Sequence, residues 1–118
     1  MIYGLGIDLA DIDRVWDLAV RKPEFIAKFL TPREQSELTK FKGIHAAEFV
    51  AGRWSAKEAY SKAYGTGIGH ELSFLDLELI NNAAGRPEFT KHPFAGRVHV
   101  SITHTNKLVM TEVILEQV

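Results

Sequence analysis

One stretch of the sequence joins a helical pattern to a glycine-rich loop: residues 53–69 read RWSAKEAYSKAYGTGIG. Glu58 and Lys62 are four residues apart, so a helix places both side chains on one face. A carboxylate can bind a magnesium ion, a lysine can bind a phosphate, and glycine lets the backbone approach an anion closely. The stretch therefore predicts part of a phosphate-handling site at the end of a helix.

Each of these features also has a structural explanation. A glutamate followed four residues later by a lysine is a common surface ion pair, which stabilises a helix by about 0.2–0.5 kcal/mol. The loop from Gly65 to Gly69 is neither the dinucleotide fingerprint nor a Walker motif, because it ends a helix and lacks the Walker lysine. The density of glycines directly after Lys62 favours the functional interpretation.

The composition is that of a small globular protein. The 118 residues suit one domain, residues 1–118, and a chain of this size has difficulty building a deep private site, which favours oligomers. The absence of cysteine excludes disulfides and thiolate metal sites, and the net charge of −1 excludes a generally basic nucleic-acid binder. There is no signal-peptide pattern and no apolar run of membrane-spanning length, so we expect a soluble, cytoplasmic protein.

Basic residues are concentrated between positions 14 and 33. They are Arg14, Arg21, Lys22, Lys28 and Arg33, against the acidic Asp17 and Glu24. Such a segment on a near-neutral protein can steer an acidic partner towards it. A solvated helix face is the alternative, and the charge pattern alone favours that alternative.

The hydrophobic periodicity predicts an α+β protein, with helices packed on a largely antiparallel sheet. The predicted helices cover residues 13–20, the turn around 25–29, 31–43 and 45–64; the predicted strands cover 2–9, 75–80, 97–104 and 108–116. Residues 81–87 read as a turn or loop.

Helix ends and glycines refine this prediction. Asp13 and Thr31 are predicted N-caps, and Glu34 at the third helical position completes a capping box with Thr31. Gly65 is the predicted stop of the long helix. Gly52 lies inside that helix, which predicts close packing against another backbone.

Two residues outside the central stretch are further candidates for the site. Asp8 ends the first predicted strand, where a carboxylate is held rigidly enough to bind magnesium, although it could equally cap the next turn. His104 ends a later strand among hydroxyl residues; it could bind phosphate or transfer a proton, and an oriented structural histidine is the alternative. No histidine spacing indicates a zinc enzyme.

Three blocks resemble the holo-[acyl-carrier-protein] synthase family, the small bacterial phosphopantetheinyl transferases. They are residues 6–8 with Arg14, residues 53–69, and residues 100–104, with secondary matches at 29–34 and 85–87. The resemblance covers nearly the whole chain, and its central block is long and specific. One departure is the segment 108–111, Leu-Val-Met-Thr, where the family often has an aromatic residue followed by small ones.

The resemblance implies transfer of 4'-phosphopantetheine from coenzyme A to a serine of apo acyl carrier protein, with adenosine 3',5'-bisphosphate as the other product. In the family pattern, Asp8 and Glu58 hold Mg²⁺ and Lys62 binds a phosphate, so these three are the catalytic residues. The loop residues Gly65, Thr66 and Gly67 let coenzyme A pass closely, and His104 contacts its nucleotide end or its phosphates. A metal-bound water, Glu58 and Glu34 are all candidates for the general base.

The resemblance also implies a phosphopantetheinyl-transferase-like fold and a homotrimer with the coenzyme A site between subunits. Carrier proteins are strongly acidic, so Arg14, Arg21, Lys22 and Lys28 become a docking surface for the carrier. Two alternatives remain from the residues themselves: a non-catalytic module that binds coenzyme A or a nucleotide, and a metal-dependent pyrophosphate hydrolase. The module has no need of both Asp8 and Glu58, and a hydrolase usually needs more carboxylates.

Overall fold

Four helices and five strands follow one another along residues 1–118, all of which the computed structural model describes. The first half of the chain forms β1 (Ile2–Asp11), α1 (Ile12–Arg21), α2 (Glu24–Phe29), α3 (Pro32–Leu38) and α4 (Ile44–Tyr64). The second half forms β2 (Glu78–Asn81), β3 (Pro87–Lys91), β4 (Arg97–His104) and β5 (Leu108–Glu116). The predicted α+β class is therefore confirmed.

The strands form two antiparallel sheets. The larger sheet has the order β1-β5-β4, so the first strand of the chain pairs with the last; β2 and β3 form a separate hairpin. This register sets Asp8 directly opposite Thr111. None of the helices combines the length and the apolar character that crossing a bilayer requires.

Most of the predicted helix ends are confirmed by the side chains that cap them. The Thr31 hydroxyl accepts a hydrogen bond from the Glu34 N–H, and the Glu34 carboxylate accepts one from the Thr31 N–H, which is the predicted capping box. α4 ends at Gly65 in the left-handed conformation, with φ of 101°. The cap predicted at Asp13 is wrong: α1 begins at once after β1, so Asp11 is the last extended residue, and its carboxylate accepts from the Arg14 N–H.

The segment 75–91 differs from its prediction. Residues Phe74–Asp76 form a 3-10 turn, because the Asp76 carboxylate accepts a hydrogen bond from the Ser73 N–H, and β2 begins only at Glu78. The turn in the structure is shorter than the predicted 81–87, because β2 ends at Asn81 and β3 begins at Pro87; the strand β3 was not predicted. The Asn82 side chain holds this turn by accepting hydrogen bonds from two backbone N–H groups.

Two glycines of β1 let the strand lie directly against the backbone of α4. A Cβ built on Gly4 would lie 1.9 Å from the carbonyl oxygen of Ala63, and one on Gly6 would lie 1.9 Å from that of Ala59. The close backbone approach predicted at Gly52 is wrong, because a Cβ there would meet only a methyl group of Ile102, at 3.9 Å. The glycines that allow helix and sheet to approach are on the strand.

A fully buried ion pair fixes the side of α4 that is opposite to its contact with β1. Lys57 Nζ lies 2.6 Å from Glu34 Oε1 and donates to the carbonyl of Phe29, while Glu34 Oε2 accepts from the Leu79 N–H. Burial lowers the pKa of Lys57, and the neighbouring charge of Glu34 opposes that shift. The pair joins α3, α4 and β2, and therefore sets the rotation of α4 about its axis.

Along β1, the face of the larger sheet that points away from α4 is apolar and exposed. Leu5, Ile7 and Leu9 of β1 are between 47% and 61% exposed, and Met110 on β5 is 45% exposed beside them. β1 is also an edge strand, paired on one side only. We call this the outer face; apolar surface of this kind is typical of a protein contact.

Candidate active site

The carboxylate of Asp8 lies between the sheet and α4, and the residue is 8% exposed. Its Oδ2 accepts a hydrogen bond of 2.8 Å from the hydroxyl of Ser55, and its Oδ1 lies 3.2 Å from Nζ of Lys62. Lys62 also donates to the carbonyl of Ile7, at 3.0 Å. The structure thus brings Asp8 and Lys62 together across the strand and the helix.

Glu58 lies beside this pair on the same helix. Partial burial raises the pKa of Glu58, the negative charge of Asp8 raises it further, and the positive charge of Lys62 opposes both. The two carboxylates are therefore close enough to repel each other. A cation between the two carboxylates would offset this repulsion, so the charges here favour the binding of a metal ion.

The donor atoms suit a hard divalent cation such as Mg²⁺. Asp8 and Glu58 supply carboxylate oxygens, and nowhere in the chain do three or more histidine or acidic side chains cluster as metal ligands. Mg²⁺ commonly takes one or two protein carboxylates and completes its shell with water and substrate phosphate. The pair fits that mode of binding.

Lys62 does not form the surface pair with Glu58 that its spacing also allowed. Its ion pair is with Asp8 on β1, and its side chain is 51% exposed. An ammonium group that is half exposed at the edge of the carboxylate pair is within reach of a phosphate bound there. Its geometry is therefore consistent with phosphate binding.

The glycine loop begins directly after Lys62 but uses much of its own hydrogen-bonding capacity. The N–H groups of Gly65 and Gly67 both donate to the carbonyl of Ser61, and that of Gly69 donates to Leu72. The Thr66 hydroxyl donates to the Gly67 carbonyl. These three N–H groups are not available to an anion, so the loop can offer a ligand close backbone approach and the remaining N–H groups.

His104 lies apart from this cluster. Its Nδ1 is 3.3 Å from the carboxylate of Glu48, which precedes Glu58 on α4 by ten residues, or about 15 Å along the helix axis. His104 lines an open cleft of about 590 Å³ together with the guanidinium-bearing Arg53 and Arg86. One chain therefore holds two separate polar sites, one acidic with a lysine and one basic.

The four basic residues predicted to dock a carrier are exposed on α1, at the residue after α1 and on α2, but their surroundings are mixed in charge. They are Arg14, Arg21, Lys22 and Lys28. Arg21 forms an exposed ion pair of 3.0 Å with Asp17, one turn away. Arg14 borders a mainly apolar groove lined by Leu18, Phe25 and other residues.

The sequence alone did not identify Ser55, Thr111 or Arg53 as part of either site. Ser55 precedes Glu58 by three residues and Lys62 by seven, so helical spacing places it on their face and was a usable signal. Thr111 carried no such signal, because only the strand register brings it to Asp8. Arg53 donates to Leu79 and Asn81 of the hairpin, contacts that no local pattern predicts.

Glu34 is excluded as a general base by its position. It is fully buried, and its carboxylate accepts hydrogen bonds from Thr31, Lys57 and Leu79. A base must come within hydrogen-bond reach of the group that it deprotonates, directly or through one water. A structural role accounts for all of the contacts of Glu34.

Known proteins resemble this chain over its full length. The sequence model of the 4'-phosphopantetheinyl transferase superfamily matches residues 4–115. The holo-[acyl-carrier-protein] synthase of Levilactobacillus brevis is 55% identical over 117 residues, which are 99% of this chain and 96% of that protein.

Solved structures show the same fold. A crystal structure of a holo-(acyl-carrier-protein) synthase from Bacillus anthracis, in complex with CoA (3',5'-ADP), has a TM-score of 0.93 and 42% identity, covering 100% of this chain and 99% of that one. The Helicobacter pylori holo-[acyl-carrier-protein] synthase in complex with coenzyme A has a TM-score of 0.82 and 31% identity, covering 95% and 99%. This chain belongs to the 4'-phosphopantetheinyl transferase superfamily and is an enzyme of the holo-[acyl-carrier-protein] synthase family.

Proposed function

We propose that this enzyme transfers 4'-phosphopantetheine from coenzyme A to a serine of apo acyl carrier protein in a Mg²⁺-dependent reaction, acting as a single cytoplasmic domain. The observation that carries the proposal is the meeting of Asp8, Glu58 and Lys62 where β1 crosses α4. Relatives with the same fold are crystallised with coenzyme A or its nucleotide portion. Two carboxylates and a lysine supply the charges that a pyrophosphate substrate requires.

Asp8, Glu58 and Lys62 have different roles in the proposed phosphoryl transfer. Asp8 and Glu58 would hold Mg²⁺, which supplies neutralisation of charge on the pyrophosphate oxygens. Lys62 binds a phosphate oxygen and keeps the pyrophosphate in line with the incoming hydroxyl. Such reactions depend mainly on positioning and on electrostatic stabilisation, because there is little covalent chemistry for the protein to perform.

Bond changes in the transfer balance without a further reactant. The serine oxygen of the carrier forms a bond to the phosphorus that bears pantetheine, and the bond from that phosphorus to the bridging oxygen breaks. Adenosine 3',5'-bisphosphate leaves with the electron pair. The serine proton passes to Glu58 or to water, the two acceptors that remain once Glu34 is excluded.

We further propose that the enzyme is a homotrimer whose coenzyme A sites lie between subunits. Two observations support this. His104 and Arg86 line a basic cleft that is distant along α4 from Glu58, so the two parts of the proposed ligand site lie apart within one chain. The apolar outer face provides a surface for that contact. In this arrangement the nucleotide end of coenzyme A binds the basic cleft of one subunit, and the Gly65–Gly67 loop of another carries its pyrophosphate past Asp8.

The carrier is proposed to dock on α1 and α2. Arg14, Arg21, Lys22 and Lys28 are exposed there, and the groove beside Arg14 can receive apolar side chains of the partner. Exposed charges of this kind act mainly on the rate of association and on orientation. The acidic residues of α1 limit the contribution, since Asp17 already pairs with Arg21.

The alternatives are less well supported. A hydrolase with two metal ions would need more carboxylates than the pair present, and no larger acidic cluster exists in the chain. A coenzyme A-binding module without catalysis conflicts with membership of an enzyme family.

The test is to mix the enzyme with apo acyl carrier protein, coenzyme A and Mg²⁺, and to weigh the intact carrier by mass spectrometry. We expect the carrier to gain the mass of one phosphopantetheine, and to gain none in the presence of EDTA or with Asp8→Ala or Glu58→Ala. Glu37→Ala, which removes a carboxylate on α3 that pairs with Lys40, is the matched control and keeps activity. Transfer at the wild-type rate by Asp8→Ala would refute the metal assignment.

A further inference from the structure

A chain of three buried polar side chains holds one oxygen of Asp8. Ser55 on α4 is fully buried, Thr111 on β5 is 1% exposed, and Asp8 on β1 is 8% exposed. Ser55 Oγ lies 2.8 Å from Asp8 Oδ2 and 2.9 Å from Thr111 Oγ1. The three residues come from three different elements, and the register of the sheet places Asp8 opposite Thr111.

The direction of these hydrogen bonds follows from the chemistry of the groups. An ionised carboxylate only accepts, so Ser55 donates its single hydroxyl proton to Asp8. That proton is then not available to Thr111, so Thr111 donates its own proton to Ser55. The result is an ordered relay from Thr111 to Ser55 to Asp8.

The relay leaves the other oxygen of Asp8 facing the site. Oδ2 is held by Ser55, and Oδ1 is the oxygen that lies 3.2 Å from Lys62. Hydrogen bonds to a metal-binding group fix its orientation, and removing them commonly weakens metal binding or activity by 10–100-fold.

We propose that Ser55 and Thr111 are positioning residues for Asp8: their hydroxyls hold its carboxylate so that Oδ1 is presented to the divalent cation and to Lys62. The inference rests on the proposed function, because it assumes that Asp8 binds that cation. Neither hydroxyl touches the substrate, and both act through Asp8.

Stability and metal binding separate this role from a structural one. Ser55→Ala leaves the buried Thr111 hydroxyl without its partner, so it lowers stability as well as metal affinity. Adding Thr111→Val replaces that hydroxyl by a methyl group of the same shape, which removes the orphaned hydroxyl and recovers that part of the lost stability. The double variant still lacks the donor to Asp8, so its metal affinity stays low.

The experiment measures Mn²⁺ binding by electron paramagnetic resonance in the presence of coenzyme A, together with the unfolding temperature and with carrier modification as a function of Mg²⁺ concentration. We expect about tenfold weaker Mn²⁺ binding for Ser55→Ala and for Ser55→Ala/Thr111→Val, with the unfolding temperature of the double variant returning towards that of the wild type. Thr111→Ser keeps the hydroxyl and stays within about twofold of the wild type in affinity.

Ser61→Ala is the matched control. Ser61 is a fully buried serine on the same helix, but its hydroxyl donates to the Glu58 carbonyl and does not contact Asp8, so its Mn²⁺ affinity is expected to match that of the wild type. The positioning role would be overturned if the double variant bound Mn²⁺ with wild-type affinity although Asp8→Ala abolished binding. The role would also be overturned if Mn²⁺ affinity decreased in proportion to the unfolding temperature in every variant. If the wild type bound no Mn²⁺ and also modified the carrier without Mg²⁺, the metal assignment would fail and this inference with it.

Discussion

Gly6→Ala tests whether backbone contact between β1 and α4 sets the position of Asp8. The added Cβ would lie 1.9 Å from the carbonyl oxygen of Ala59, whereas an ordinary contact begins near 3.4 Å, so strand and helix must separate by about 1.5 Å. The obstructing atom is backbone within a helix and cannot rotate away. Two residues further along β1, Asp8 would move relative to Ser55, and their hydrogen bond of 2.8 Å would lengthen beyond the usual limit of about 3.2 Å.

The expected loss of stability has two parts. Overpacking costs about 1–3 kcal/mol, and weakening a hydrogen bond to a charged carboxylate costs up to about 1.5–3 kcal/mol. A total near 3 kcal/mol lowers the unfolding temperature of a chain of this size by about 12 °C. Transfer activity should fall further than the folded fraction does, because the folded enzyme that remains has a displaced Asp8.

The assay is thermal unfolding followed by circular dichroism, with transfer rates measured well below the midpoint. Gly52→Ala is the matched control: its Cβ meets only Ile102, at 3.9 Å, and alanine favours the helix, so it should gain about 0.5–1 kcal/mol. The two Gly→Ala variants are thus expected to change stability in opposite directions. An unfolding temperature for Gly6→Ala equal to that of the wild type would refute the argument.

Three further perturbations test other parts of the structure. Lys57→Met leaves Glu34 charged and buried, so we expect the free energy of unfolding, measured with urea, to fall by about 3–5 kcal/mol. Adding Glu34→Leu should recover part of this loss, and a loss below about 1 kcal/mol for Lys57→Met would contradict the structural role of the pair. The raised pKa of Glu58 means that the folded protein holds this proton to higher pH than the unfolded chain, so stability falls as pH rises above 4.5. Glu58→Gln should therefore unfold at a higher temperature than the wild type at neutral pH and at the same temperature well below pH 4.5; equal midpoints at both pH values would disprove the shift. Replacing Arg14 and Arg21 by glutamate should weaken carrier binding most at low salt, as measured by calorimetry, and unchanged affinity would show that these residues do not contact the carrier.

Local patterns predicted the parts of the fold that depend on neighbouring residues. The capping box of Thr31 and Glu34, the end of α4 at Gly65 and the last two strands all follow from spacing or from alternation along the chain. The 3-10 turn at Phe74–Asp76 was mistaken for part of a strand because Leu75, Leu77 and Leu79 alternate with polar residues, as in a strand. A side-chain cap at Asp76 overrides that alternation.

Contacts between distant residues were the part that no pattern supplied. The sequence suggested Asp8, Glu58 and Lys62 through their local positions and through family resemblance, but the contact of Lys62 with Asp8 joins residues 54 positions apart. The glycine that packs against a backbone was placed on the helix, at Gly52, because the pattern shows where a glycine is unusual and not which element faces it. Glu34 was a candidate base only until its three buried partners were known.

If the enzyme is the trimer proposed above, the outer face makes its stability depend on protein concentration. Covering Leu5, Ile7 and Leu9 with other copies of the chain is a binding equilibrium linked to folding, in which the protein is its own stabilising ligand. For a trimer, the midpoint of unfolding rises with protein concentration, whereas for a monomer it does not. Dilution of such a trimer would separate the two parts of each proposed site, so catalytic activity per chain would depend on how much enzyme a cell contains.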